Sequence, residues 1–143
     1  MQTVVFTGDA GEHLRIDVLG YERAPVGEYF DDNWLSVGVA IKAGGFTGSF
    51  SASFLTGELE GLHQEAIKLY DSLTGRAEFK TLEEQLGFDL VGDGLGHIRL
   101  TGNAQDIAGL GNTLAFTFTF DQTQLRSTVQ GLTRVLSAFP MRT

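Results

Sequence analysis

The residue types that most often carry chemistry are few in this chain, and their spacing argues against most reactions. There is no cysteine, which removes disulfides, thiolate metal ligands and thiol nucleophiles together. The three histidines, His13, His63 and His97, stand too far apart for local chelation, and no His-x-x-x-His occurs. Each reads as a structural or solvated imidazole, His63 at the edge of an apolar stripe and His97 in a strand, facing away from Ile98 and Leu100. The acid pairs Asp31-Asp32 and Glu83-Glu84 are neighbours in loops, whereas acid–base catalysis needs carboxyl groups opposed across a cleft. Gly92-Asp93-Gly94-Leu95-Gly96 and Gly109-Leu110-Gly111 lack a following Lys-Ser/Thr and open no helix, so turn chemistry accounts for them better than phosphate binding. Asp106 reads as the cap of its own turn. No catalytic residue, cofactor or metal is expected, and an enzyme reading survives only as a pocket that joins His97 to Asp93 or Asp106.

What remains is a recognition motif, Glu28-Tyr29-Phe30-Asp31-Asp32-Asn33-Trp34, with three acids and three aromatics in seven positions. Aromatic anchors inside a charged rim suit a protein interface, and the candidate partner-binding set is Glu28, Tyr29, Phe30, Asp31, Asp32 and Trp34. The competing reading folds Tyr29, Phe30 and Trp34 back onto a sheet edge and leaves the acids to solvate the loop.

The elements that must position this motif follow from a change of hydrophobic period. Leu35, Val37, Val39 and Ile41 alternate with small or polar residues over Trp34 to Ala43, as Phe46, Phe50, Ala52 and Phe54 do over Phe46 to Leu55. Both runs predict half-buried strands, and Gly44-Gly45 between them predicts a tight antiparallel hairpin. Leu86 to Val91, Leu95 to Gly102 and Thr113 to Phe120 continue the pattern, and shorter strands are expected at Thr3 to Thr7, His13 to Leu19 and Ala77 to Thr81. Two stretches take the helical period. The first carries Leu59, Leu62, Ala66, Leu69 and Leu73, with Thr56 as its cap and Gly75 as its left-handed end. The second is opened by Asp121 with Gln124, carries Leu125, Val129, Leu132 and Leu136, and stops at Pro140; Gly131 is a weak point in it. The irregular stretches are Glu22 to Asn33 and Asn103 to Asn112.

The chain has 143 residues, 42% of them hydrophobic, and residues 1–143 are expected to form a single domain. With 10 basic and 18 acidic side chains the net charge is −8, which repels phosphate backbones and argues against nucleic acid. The acidity is uneven. Residues 1–75 hold 4 basic and 11 acidic groups, residues 76–143 hold 6 and 7, so the first half would draw in a basic protein partner. With neither a signal segment nor an apolar run long enough for a membrane span, the protein is expected to be soluble and cytoplasmic, without a membrane partner. The expected fold class is α+β: a mainly antiparallel, curved sheet of about eight strands with two amphipathic helices on one face.

Asn33-Trp34-Leu35, Lys42-Ala43-Gly44-Gly45-Phe46, Phe50-Ser51-Ala52-Ser53-Phe54-Leu55, Gly92-Asp93-Gly94, Gly96-His97-Ile98 and Asp121-Gln122-Thr123 together resemble the WapI-like family of small bacterial immunity proteins. The resemblance runs from about the second strand to Phe139. It implies a non-enzymatic immunity protein that binds and neutralises a bacterial toxin domain, and toxins that cut RNA are often basic. The alternative is a binding or scaffold module, either a homodimer through an open sheet edge or a small-molecule binder in the concavity of the sheet.

Overall fold

Alternating burial along Trp34–Ala43, matched in Phe46–Leu55 by Phe50, Ala52 and Phe54, produces the longest hairpin of the molecule, whose turn leaves Phe46, expected inward, 67% exposed. Ala43 pairs with Phe46 across the two-residue turn, where Gly44 takes φ 59°, a left-handed conformation that costs glycine little. The structure is a computed structural model and describes residues 1–143. In chain order the elements are β1 (Gln2–Thr7), β2 (His13–Tyr21), α1 (Tyr29–Asn33), β3 (Trp34–Ala43), β4 (Phe46–Leu55), α2 (Thr56–Ser72), β5 (Thr74–Phe79), β6 (Leu86–Asp93), β7 (His97–Gln105), β8 (Thr113–Asp121) and α3 (Gln122–Ala138).

All eight strands pair antiparallel, in two sheets of four ordered β1-β2-β3-β4 and β5-β6-β7-β8. The α+β class therefore stands, with the strands divided between two sheets. The division falls at α2, whose 17 residues span about 25 Å and carry the chain away from the edge of β4 before β5 begins. The inner faces of the two sheets meet in one apolar cluster of 30 buried residues to which α2 and α3 also contribute. Phe6 of β1 meets Phe88 of β6 edge-on at 5.0 Å, and Phe54 of β4 meets Phe79 of β5 at 5.3 Å; such pairs add about 0.5–1.5 kcal/mol beyond their area.

The helices close two of the sheet edges. α3 lies along β1, α2 lies along β5, and the helices pack on each other. Thr128 of α3 donates its hydroxyl to the carbonyl of Val5 at 2.6 Å, and Glu65 of α2 accepts the edge N–H of Glu78 at 3.2 Å. Gly131 is the point of closest approach: a Cβ there would lie 3.2 Å from the carbonyl oxygen of Thr3, so the glycine that weakens an isolated helix lets this one reach the sheet. His63 and Thr133 join the two helices at 2.9 Å.

Two helix boundaries differ from the sequence reading. Thr56 opens α2 without capping it; Glu58 instead reaches back to the N–H of Leu55 at 2.7 Å, and the Thr56 hydroxyl serves Asn33. The left-handed end falls at Leu73 (φ 63°), while Gly75 lies within β5. Correspondingly, Gly92 is a strand residue pressed against the Leu73 carbonyl, and the β6–β7 turn uses Gly94 and Gly96.

Candidate functional site

The loop from Glu22 to Asn33 contains a single helical turn, α1, that the hydrophobic pattern does not announce. Its start is built by Asp32, whose carboxylate accepts the N–H of Val26 at 2.7 Å and of Gly27 at 2.9 Å, folding residues 26–32 into a tight knuckle. Asp32 is buried, so of the six residues proposed for partner contact it is the one turned inward, and its charge is spent on the loop's own backbone.

Asn33 bolts the knuckle to the body. It is fully buried, and its amide has four partners. Nδ2 donates to the carbonyls of Tyr29 at 2.7 Å and Arg142 at 2.9 Å. Oδ1 accepts from the Thr56 hydroxyl at 2.9 Å and from the Arg142 N–H at 2.8 Å. The side chain thus pairs with both backbone groups of Arg142, as a neighbouring strand would. The segment it holds is gripped twice more: Tyr21 donates its hydroxyl to the carbonyl of Pro140, and the Arg142 guanidinium lies 3.5 Å over the Tyr21 ring, a cation–π contact. Arg142 also donates to the carbonyl of Arg23 at 3.1 Å.

On this rigid base the other proposed residues face different ways. Glu28 and Asp31 are exposed; Asp31 pairs loosely with Arg23 at 3.5 Å. Tyr29 and Phe30 stack edge-on at 5.2 Å and remain 45% and 58% exposed, so the pair forms an apolar patch on the surface. Val26 beside them is exposed as well. Trp34 is half-buried at the start of β3 opposite Leu55, and its carbonyl accepts the N–H of Glu22 at 2.9 Å. The loop therefore presents Glu28, Tyr29, Phe30 and Asp31 outward, with Asp32 and Trp34 behind them.

Elsewhere the chemistry is local. Asp93 accepts from the N–H of Leu95 and of His97 and from the His97 ring Nδ1, the last at 2.8 Å. The Leu95 bond is the main cause that holds its carboxyl below the usual range. Both side chains are open to solvent, and the pair is a clamp on its turn. Asp106 accepts the N–H of Asn112 at 2.8 Å, the turn cap expected of it. A groove of about 460 Å³ lies over the outer face of β5 and β6, where Arg76 pairs with Asp89 at 2.9 Å and Glu78 at 3.0 Å.

Sequence reasoning placed Asn33 in the motif without giving it a role, and passed over Tyr21 and Arg142 as parts of this region. The bond between Asn33 and Arg142 crosses 109 positions, and no local period reports a contact of that range. A family model described as the immunity protein WapI-like family matches residues 5–140. No curated protein matches the chain.

Proposed function

The chain belongs to the WapI-like immunity protein family, and from that premise we propose that it is a non-enzymatic, cytoplasmic, single-domain protein that binds and neutralises a basic bacterial toxin domain through the surface of Glu28, Tyr29, Phe30 and Asp31. Membership supports a toxin partner in general. The choice of surface is supported above all by one observation, the exposure of Tyr29 and Phe30 on a backbone that Asp32 and Asn33 hold rigid. A preformed aromatic pair loses little entropy on binding, and the flanking acids steer a cationic partner toward it.

The test measures association kinetics with a basic toxin domain that the unaltered protein binds. Glu28→Lys with Asp31→Lys slows association and flattens its salt dependence, and Phe30→Ala speeds dissociation, with melting unchanged in both. Kinetics identical to those of the unaltered protein, in both variants, would place the interface elsewhere.

A further inference from the structure

Two of the four sheet edges are covered by helices, and two are not. β8 pairs with β7 alone, and the N–H of Asp9 meets the carbonyl of Thr119 at 2.9 Å, which shows that the odd-numbered residues of β8 turn their backbone groups away from β7. Only that one outward group is taken up; those of Thr113, Ala115 and Thr117 have no partner within the chain. Natural edges are usually blunted by lysine, proline, a bulge or a covering element, yet Thr113 to Thr119 contains no charge and no proline. At its start the edge opens onto a groove of about 200 Å³ lined by Phe50 and Leu114 with Asp106 among its walls. Beside it Ile107 and Leu110 are 59% and 87% exposed.

We infer that the outer edge of β8 is a docking rail for an extended segment of a basic partner protein, which joins the second sheet as a fifth strand. A row of alternating N–H and C=O groups is matched only by another extended backbone. The groove at the start of the edge, lined by Phe50 and Leu114, offers an aliphatic side chain of that segment an apolar seat. Asp106 at one end of the edge and Asp9 at the other, both exposed, set the ends of that segment as cationic. The net charge disfavours a second copy of this chain, which would bring −8 against −8. The rail is separate from the aromatic loop and does not depend on the identity of a toxin.

The probe is the peptide Lys-Thr-Val-Thr-Val-Thr-Val-Lys, titrated into the full chain while backbone amide exchange is followed by NMR. The rail requires the amides of Ala115 and Thr117 to exchange at least tenfold more slowly with peptide bound. Ala115→Pro removes one outward donor at a position where an edge strand tolerates proline, and it abolishes binding with melting unchanged. A peptide with proline in place of each valine, offered to the unaltered chain, also fails to bind, which keeps the test independent of how the variant folds. Absence of binding up to millimolar peptide, binding that leaves those amides exchanging freely, or protection by a doubling of mass without peptide would each overturn the proposal.

Discussion

The two irregular stretches of the chain are anchored in opposite ways. Residues 22–33 are tied to distant elements, through Asn33 to the start of α2 and to Arg142, and through the Arg23 carbonyl to the Arg142 guanidinium. Residues 106–112 are tied chiefly to themselves, by Asp106 to Asn112 and by Gln105 to Gly109 and Gly111; Gln85 alone reaches their edge, bonding the carbonyls of Gln105, Asp106 and Ser51. Both expose large apolar side chains. A loop fixed by long-range bonds offers a preformed surface, whereas one that closes on itself can move as a unit without disturbing the core.

That contrast is broken first at Asn33. Asn33→Ala strands buried partners on Tyr29, Thr56 and Arg142, and it costs about 3 kcal/mol, a fall in Tm of about 10 °C; melting at the wild-type temperature would mean that the first loop is as self-contained as the second. Asp32→Ala removes both acceptors of the knuckle and costs about 1–2 kcal/mol, read by denaturant titration together with faster exchange of the Val26 and Gly27 amides. Asp106→Ala should cost only about 0.5 kcal/mol, because its turn is exposed and water replaces the lost bond. A larger loss there than at Asp32 would reverse the comparison.

The smallest effect is one of pH. Glu58, which joins the start of α2 to Leu55 and Leu82, is half-buried, and burial raises its carboxyl above the ordinary value of 4.5 against the lowering by those two backbone bonds. A raised folded value means that the native state holds the proton more tightly than the unfolded one. Its contribution to stability is therefore present below 4.5 and is lost as pH rises through the folded value. Glu58→Gln should flatten this part of the profile in melting curves taken across the carboxylate range; an unchanged slope would show that another group sets it.

Much of the fold was legible because one-sided burial writes itself into alternation. The limits of β3 and β4 follow from Leu35, Val37, Val39, Ile41 and Phe54, and Asp121 does cap α3 by accepting the N–H of Gln124 at 3.1 Å. Alternation says which side chains face inward but not which sheet they face from, so the division into two sheets was silent. α1 was silent too, since five residues are too few to show a period. At the candidate site the residue types of the outward surface were readable, whereas the inward turn of Asp32 depends on the backbone of Val26 and Gly27. The role of Asn33 depends on a segment near the far end of the chain.

That last dependence has a consequence for biosynthesis. The bonds from Asn33 to Arg142 and from Thr128 to Val5 span 109 and 123 positions, so the first strand and the first loop lack their full set of partners until residues 128 and 142 have been made. A ribosome-bound chain lacking residue 142 would carry Glu28, Tyr29, Phe30 and Asp31 on an unfastened hinge. The finished surface is acquired after α3 and the segment behind it dock, a late step in a fold rich in distant contacts, and a chain stalled before residue 142 would be soft where the complete fold is firm.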